Sequence, residues 1–308
     1  MLCDNVKQLC MLVLALAMLE ACSWGACKSS DVSVSSKIQA IVQDIRAGNL
    51  DGKTGELENL AREVGPDIIP ELARFIEDED YHVRACITIT LGELCDGSTI
   101  PLLVGRLQDK EFNVRRPAID ALYYYPREAL MKQRRFLLDP LARYAVMKEL
   151  IGYNYKAILL IGDLGGKSKM GDIHKVLASV ATREQTPNVQ RVREACVKAL
   201  FKLGDKKAAD EVLASLSQYD DVSKRVFGIE SVQYAGRLEF VSALVPLLDD
   251  TRDPKPFRYV EFDMRVRDLV INTIAEITKI KLSFKVPGAR YTNEQAQEVR
   301  KRVAGIAK

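Results

Sequence analysis

One recurring pattern limits the fold of this chain more than any other feature. It begins at an arginine, usually after an apolar residue as in Val83-Arg84, with apolar residues seven and ten positions later and often a glycine at eleven. Copies begin at positions 54, 84, 115, 154, 193, 225 and 267, with Thr54 and Asn154 in the place of arginine. Separations of 30 to 42 residues are typical of helical-hairpin arrays with loop insertions.

Each copy predicts two amphipathic helices joined by a polar turn. The clearest copy runs from Ile69 to Leu94. Its first helix carries apolar residues three, four and seven apart, and the acidic turn Glu77–Asp80 supplies an N-cap for its second helix. Two such short helices cannot bury both of their apolar stripes alone, so each hairpin must pack against its neighbours.

The pattern predicts seven hairpins. The predicted helix pairs are 38–47 with 55–64, 67–77 with 81–94, 99–108 with 112–124, a long basic segment 127–150 with 154–164, 171–182 with 189–203, 206–217 with 222–235, and 239–248 with 263–280. We therefore expect an all-α fold, an α-α superhelix of solenoid type over residues 37–281. Residues 282–308 are predicted to end in a helix that covers the apolar end of the array.

The repeats resemble HEAT repeats, in particular the short bacterial kind that phycobilin-lyase-type HEAT proteins also contain. The segments that carry the resemblance are DEDYHVRACITITLGEL (78–94), DKEFNVRRPAIDALYY (109–124), NVQRVREACVKALFKLG (188–204) and MRVRDLVINTIAEI (264–277). The resemblance covers roughly residues 37 to 280. It implies an armadillo-like α-solenoid, a fold that enzymes, scaffolds and adaptors share, so it does not by itself imply an activity.

The N-terminus resembles a secretory signal followed by a lipoprotein cleavage site. An apolar run of eleven residues, Leu9–Leu19, has the length of a signal h-region and is too short to span a bilayer. Leu19-Glu20-Ala21-Cys22 resembles a lipobox, which implies cleavage after residue 21, lipid on Cys22 and a bacterial envelope location; Glu20 departs from the small residue usual there. Residues 22–36 then form a tether. Ordinary cleavage near Ala21 or Ala26, an uncleaved anchor and a cytosolic chain remain alternatives.

The sequence contains no recognisable catalytic, metal or nucleotide motif. The turn Gly165-Gly166-Lys167-Ser168 lacks the first glycine of a phosphate-binding loop, because Ile161 occupies that position. No Cys or His spacing suits zinc, and the two histidines, His82 and His174, have no nucleophile placed beside them by sequence spacing. We therefore predict no cofactor, no metal and no enzymatic activity.

The repeated arginines are predicted to be structural. Arg84, Arg115, Arg193, Arg225 and Arg267 share one register. An aspartate lies a few residues before four of them, namely Asp80, Asp109, Asp220 and Asp263. We expect acids and bases to alternate between stacked turns as a ladder that fixes the register of the repeats; a row of anion-binding arginines is the alternative.

Aromatic and arginine residues on the second helices are the candidate partner-binding residues. They are Arg116, Tyr123, Tyr124, Tyr153, Tyr155 and, in a proline-containing insertion at 250–261, Phe257, Arg258 and Tyr259. Aromatic and arginine side chains often dominate binding energy at protein interfaces. The sequence thus predicts a non-catalytic scaffold or adaptor that binds a protein or peptide. A chromophore lyase or isomerase and a cytosolic regulatory HEAT protein are the alternatives.

Net charge argues against nucleic acid as the partner. The formal charge is +3 for 308 residues, and Trp24 is the single tryptophan. Neither a strongly basic surface nor a series of stacking aromatics is evident. We predict contact with a membrane through the N-terminal lipid anchor only.

Overall fold

The described part of the chain is built from helices and turns. The computed structural model describes residues 33–147, 152–218, 220–254 and 264–305. Over these ranges it contains no β-strand, which confirms the predicted all-α class. The α-helices are α1 Val34–Arg46, α2 Lys53–Val64, α3 Ile69–Ala73, α4 Tyr81–Glu93, α5 Ile100–Arg106, α6 Phe112–Tyr124, α7 Arg127–Lys132, α8 Arg134–Ala145, α9 Tyr155–Asp163, α10 Met170–Ala181, α11 Pro187–Leu203, α12 Lys206–Ser217, α13 Val222–Ala235, α14 Val241–Leu244, α15 Val266–Thr278 and α16 Asn293–Ala304.

The chain divides into two compact units, Met1–Lys132 (unit 1) and Gln133–Lys308 (unit 2). The boundary falls inside the segment 127–150, where the sequence predicts that the regular pattern is interrupted. In place of one long helix, this segment contains α7 in unit 1 and α8 in unit 2, with Gln133 outside the helical region at φ −109° and ψ 14°. Leu130 on α7 and Leu137 and Leu141 on α8 are buried.

Unit 1 stacks its second helices side by side, with α2 against α4 and α4 against α6. Gly92 marks the closest approach of α4 and α6, because a Cβ placed there would lie 2.6 Å from the Cβ of Ala121. The predicted turn between α3 and α4 is confirmed: Asp80 caps α4 and accepts a hydrogen bond of 2.8 Å from the backbone N–H of His82.

The N-terminal helix begins earlier than the sequence analysis places it. Val34 to Ser36, which the sequence assigns to the tether, already belong to α1. Ser33 is the cap of this helix, since its Oγ accepts a hydrogen bond of 3.2 Å from the backbone N–H of Ser36. The Oγ of Ser35 donates to Glu71 over 2.8 Å. Serines in this stretch therefore start a helix, as serine at an N-cap commonly does.

Unit 2 repeats the same stacking with α9, α11, α13 and α15 as its second helices. The predicted C-terminal helix is confirmed as α16, which begins with a capping box formed by Thr292 and Gln295. Val299 and Val303 face inward from α16 and are buried. Burial of one stripe of a terminal helix is the arrangement expected of a helix that covers the end of an array.

Candidate binding surface

Asp109 connects two successive turns of unit 1 through buried hydrogen bonds. Arg84 donates to both of its carboxylate oxygens, from Nε over 2.8 Å and from Nη2 over 2.9 Å. Arg106 adds a hydrogen bond of 3.1 Å and donates to the carbonyl of Ile76. Burial opposes the charged form, but the hydrogen bonds from Arg84 and from the backbone N–H of Glu111 outweigh it and hold the pKa of Asp109 below its ordinary value.

Asp250 forms the corresponding cluster in unit 2. Its carboxylate accepts hydrogen bonds from Arg225 over 2.6 Å and from Arg252 over 2.7 and 2.9 Å. Burial again opposes ionisation, and these guanidinium groups overcome it and lower the pKa of Asp250. The backbone N–H of Arg267 donates to the Asp250 carbonyl over 2.8 Å, and its Nε donates to the carbonyl of Leu248.

The predicted arginine register separates into four buried members and one half-buried member. Arg84, Arg115, Arg225 and Arg267 are buried, and Arg115 donates to the carbonyls of Asp109 and Lys110. Arg193 differs: its side chain is 37% exposed and pairs with Glu211.

The acids that pair with these arginines differ in part from those that the sequence analysis proposes. Asp109 is one of the predicted acids, and it pairs with Arg84. Asp80 instead accepts a hydrogen bond from the backbone N–H of His82, and Asp263 lies outside the described residues. Asp250 was not predicted. Its signal is the distance along the chain, because Asp250 follows Arg225 by 25 residues just as Asp109 follows Arg84 by 25.

In unit 1, the second-helix surface is the outward side of α2, α4 and α6. Three of the predicted binding residues, Arg116, Tyr123 and Tyr124, lie on α6. Tyr124 is 63% exposed, and its ring meets that of Tyr123 edge to face at a centroid distance of 5.4 Å. The guanidinium carbon of Arg127 lies 5.3 Å from the centre of the Tyr123 ring, and Arg127 donates to the Tyr123 carbonyl over 2.8 Å. An aromatic side chain that is exposed yet held in place suits an interface anchor.

Two glutamates of the same surface belong to the neighbouring helices α2 and α4. Glu58 on α2 is half-buried, and Glu93 stands at the end of α4. Burial raises the pKa of Glu58, the negative charge of Glu93 raises it further, and Arg62 opposes both effects. The Arg62 guanidinium hydrogen-bonds Asn59 over 2.7 Å. Within the described ranges, neither glutamate has a salt-bridge partner within 4.0 Å.

In unit 2, the second-helix surface is the outward side of α9, α11, α13 and α15, where acids and bases are paired. Lys202 on α11 bonds Asp163 on α9 over 2.9 Å, and its ammonium nitrogen lies 4.2 Å from the centre of the Tyr234 ring. Lys198, one turn earlier, bonds Glu230 on α13 over 2.7 Å. The charges of adjacent helices are thus compensated within the unit.

Tyr234 links three helices of unit 2. Its hydroxyl donates to the carbonyl of Leu159 on α9 over 2.5 Å, although the residue itself belongs to α13. The side chain reaches across α11, and the small residues Ala199 on α11 and Gly162 on α9 leave room for it. A Cβ at Gly162 would lie 2.5 Å from the Tyr234 hydroxyl and 3.1 Å from Ala199. The two hydrogen-bonded residues lie 75 positions apart along the chain, so the spacing of residues in the sequence could not predict this contact.

The remaining predicted binding residues are divided between described and undescribed parts of the chain. Tyr153 and Tyr155 lie at the start of α9 in unit 2, where both are half-buried, and the guanidinium carbon of Arg191 lies 5.4 Å from the centre of the Tyr155 ring. Phe257, Arg258 and Tyr259 lie outside the described residues, as does Cys22.

Over the ranges given above, no group of three or more His, Cys, Asp and Glu side chains is arranged to hold a metal ion. The same residues include no helix with both the length and the apolar character needed to cross a bilayer. His174 pairs with Asp205 over 3.0 Å, and Asp205 also caps α12 by accepting from the backbone N–H of Ala208. An open depression lies against α16, and its lining residues all belong to that one helix.

Comparison with known proteins agrees with the fold. A family model described as HEAT repeats matches residues 56–123, which span α2 to α6 of unit 1. These findings define the class: an all-α protein with HEAT-like helical repeats. No curated protein matches the chain.

Solved structures with a similar arrangement share little sequence with this chain. The complex of CpcE and CpcF of phycocyanin lyase from Nostoc sp. PCC7120 contains a chain that is 16% identical with a TM-score of 0.44, covering 91% of this chain and 98% of that one. An archaeal HEAT-like repeats protein from Thermococcus onnurineus NA1 is 12% identical with a TM-score of 0.41, covering 91% and 100%. Human deoxyhypusine hydroxylase is 18% identical with a TM-score of 0.32, covering 89% and 96%.

Proposed function

We propose that this chain is a non-catalytic scaffold or adaptor that binds a protein partner on its second-helix surface. The observation that carries the proposal is Tyr124, a large aromatic residue that is 63% exposed beside the arginine-packed ring of Tyr123. Exposing a large aromatic side chain to water is unfavourable, and burying it against a partner recovers that free energy. Arrays of helical repeats present extended surfaces of this kind.

Substitution of Tyr124 tests the proposal against a matched exposed aromatic residue. Tyr124→Ala should weaken partner binding by about 30-fold or more, the scale of an aromatic hot spot of about 2 kcal/mol. Phe136→Ala removes a ring that is 78% exposed on α8, outside the second-helix surface, and should leave binding unchanged. The measurement is quantitative capture of the partner by the wild type and by each variant. Equal losses for both variants, or none for Tyr124→Ala, would reject this surface.

Tyr155 provides the corresponding test in unit 2. Its ring lies beside Arg191, and Tyr155→Ala combined with Tyr124→Ala removes one predicted anchor from each unit. We expect the double variant to lose more binding than either single one. If the double variant binds the partner as the wild type does, the binding surface lies elsewhere on the chain.

We further propose that the protein is held at a bacterial envelope membrane by lipid on Cys22. This rests on the apolar run and the lipobox-like sequence before Cys22. Labelled palmitate should be incorporated into the wild type and not into Cys22→Ser. Equal labelling of both proteins, or recovery of the unlabelled wild type in the soluble fraction, would reject the anchor and leave the scaffold proposal standing.

A further inference from the structure

The loops that follow the second helices of unit 2 lie along one edge of the unit. Asp163, the last residue of α9, bonds Lys202 near the end of α11, and a hydrogen bond joins the last turns of α13 and α15 in the same way. Neighbouring second helices therefore end side by side. A Cβ placed at Gly204, after α11, would lie 4.0 Å from the Arg237 guanidinium, after α13. We call these loops and the helix starts beside them the unit 2 loop edge, which comprises residues 164–169, 204–207, 236–240 and 279–283.

Exposed lysines are concentrated on the unit 2 loop edge. Two acids share this edge, and both are engaged: Asp205 pairs with His174 and caps α12, and Glu239 pairs with Arg237. Five lysines of the edge are exposed, and in the part of the chain that the structure describes none of the five forms an ion pair; they are Lys167, Lys206, Lys207, Lys279 and Lys281. The edge therefore carries positive charge that the fold does not compensate.

The stability of the helices does not account for these lysines. Lys206 and Lys207 are the first two residues of α12. The first turn of a helix favours acidic side chains, because its free N–H groups carry partial positive charge. In unit 1 the corresponding loops after α2 and α4 contain Asp67 and Asp96 and no lysine or arginine. The same kind of repeat thus forms without basic loops, so the lysines of unit 2 are available for binding.

The form of the edge suits a flat anionic surface. Packed helices lie about 8–10 Å apart, so the tips of successive loops form a row and not a groove. Leu238, beside Arg237 in this row, is 55% exposed. Lysines carry their charge on flexible stems to lipid phosphates, and a leucine among them gains from entering the headgroup region. A nucleic-acid backbone offers phosphates as well, but it offers no apolar layer for Leu238.

We infer that the unit 2 loop edge binds the anionic surface of a lipid bilayer, with its lysines beside lipid phosphates and Leu238 among the headgroups. The contact is additional to lipid on Cys22 and does not depend on it. The net charge of +3 for the whole chain does not reveal this surface, because acids at the opposite edge of unit 2 offset the lysines; Glu184, Asp220 and Asp249 are exposed there. The sequence analysis, which predicts contact with a membrane through the lipid anchor only, therefore did not include it.

Vesicle binding by charge-matched variants tests the inference. The probes are vesicles of phosphatidylcholine alone and vesicles of equal parts phosphatidylcholine and phosphatidylglycerol, and binding of the full-length protein is measured by co-sedimentation. Lys206→Gln/Lys207→Gln removes two lysines from the edge. Lys110→Gln/Lys224→Gln removes two exposed lysines from the turn side of the hairpins, one in each unit. Every protein keeps the same N-terminal apolar run, so differences between variants report the edge, and thermal unfolding verifies that each variant is folded.

The wild type and the control variant should bind the anionic vesicles equally, and about tenfold or more tightly than the neutral vesicles. Lys206→Gln/Lys207→Gln should bind the anionic vesicles about 30-fold more weakly, the scale of two lysines near an anionic surface, and rising salt should reduce this difference. Equal binding of the wild type to both kinds of vesicle, or equal binding of the anionic vesicles by the two double variants, overturns the inference.

Leu238 distinguishes a bilayer from other polyanions. Leu238→Ala should weaken binding to the anionic vesicles about fivefold, because less apolar area is buried among the headgroups. Leu50→Ala changes a leucine of unit 1 that is 42% exposed and should leave vesicle binding unchanged. Unchanged vesicle binding by Leu238→Ala, or tighter binding of a single-stranded RNA than of the vesicles, would exclude a bilayer as the partner of this edge. Partner capture by Tyr124→Ala and palmitate labelling of Cys22→Ser still test the proposed function separately.

Discussion

The two units use the same chemistry on their turns and different chemistry on their second helices. On the turns, Asp109 in unit 1 and Asp250 in unit 2 each accept hydrogen bonds from two arginines and each have a lowered pKa. On the second helices, unit 2 pairs Lys202 and Lys198 with acids across helix boundaries, whereas in unit 1 burial and the negative charge of Glu93 raise the pKa of Glu58.

This difference indicates which features serve the fold and which are available for binding. Hydrogen bonds between turns hold successive hairpins in register, so both units need them. Ion pairs between neighbouring second helices are optional, because the apolar core beneath them already holds the helices together. A surface that omits these pairs and exposes Tyr124 is less well satisfied by itself and has more to gain from a partner.

The largest loss of stability should follow from removing the buried aspartate of the turn cluster in either unit. Asp109→Ala and Asp250→Ala each leave buried guanidinium groups without their carboxylate, which should lower the free energy of unfolding by about 3 kcal/mol or more. Denaturant titration measures this, with Asp80→Ala as the control. Asp80 caps α4 and lies 3.0 Å from Nδ1 of the part-exposed His82 ring, so its loss should cost about 1 kcal/mol. Equal costs for Asp80→Ala and Asp109→Ala would contradict the assigned role of the Asp109 cluster.

Acid should weaken the same clusters. Because the pKa of Asp109 is lower in the folded state than its ordinary value of 3.8, its contribution to stability is complete above that value and is lost as the pH falls through the folded pKa. Denaturant midpoints of the wild type should therefore fall with pH in this range. The fall should be shallower in Asp109→Ala.

A smaller loss is expected where unit 2 is packed most closely. Gly162→Ala would place a Cβ 2.5 Å from the Tyr234 hydroxyl and 3.1 Å from the Ala199 backbone, so overpacking should cost about 1–3 kcal/mol. Gly171→Ala on α10 meets nothing within 4 Å and should leave stability unchanged or slightly higher. Thermal unfolding of the two variants measures both changes in stability. A Gly162→Ala protein as stable as the wild type would show that α9 and α11 can move apart at no cost in free energy.

Removal of the Tyr234 hydroxyl should have a moderate effect. Tyr234→Phe keeps the ring beside Lys202 and loses the hydrogen bond to the Leu159 carbonyl, at a cost of about 0.5–1.5 kcal/mol. Tyr81→Phe removes a hydroxyl that has no hydrogen bond within the described residues and should be neutral. Identical unfolding midpoints for both variants would remove the Tyr234 link from the account of unit 2.

The smallest expected change is a gain in stability, and it should come from removing the charge of Glu58 in unit 1. The pKa of Glu58 is raised above 4.5 in the folded state, so its charged form opposes folding once the pH exceeds the folded pKa. Glu58→Gln should therefore stabilise the protein at pH 7, by at most about 0.5 kcal/mol because solvent screens a half-exposed group. The gain should vanish below the ordinary glutamate pKa. Glu230→Gln, which breaks the pair with Lys198, should bring no gain.

The sequence predicted the helices well because their determinants are local. Apolar spacing and turn residues predicted α4 and a cap within the acidic turn Glu77–Asp80, where Asp80 caps the helix. The arginine register predicted structural arginines at the turns, and Arg84 and Arg225 pair there with Asp109 and Asp250. The contacts that distinguish the two surfaces were not predictable in the same way. Tyr234 reaches Leu159 across another helix, and the charge of Glu93 acts on Glu58 only because α2 and α4 pack side by side.

Titration of individual side-chain carboxyls by NMR tests the central claim most directly, namely that compensated carboxylates hold the turns while burial and a like charge raise the pKa of Glu58 on the unit 1 second-helix surface. The pKa values of Asp109 and Asp250 should lie below 3.8, and the pKa of Glu58 should lie above 4.5. A Glu58 pKa at or below 4.5 would contradict this claim.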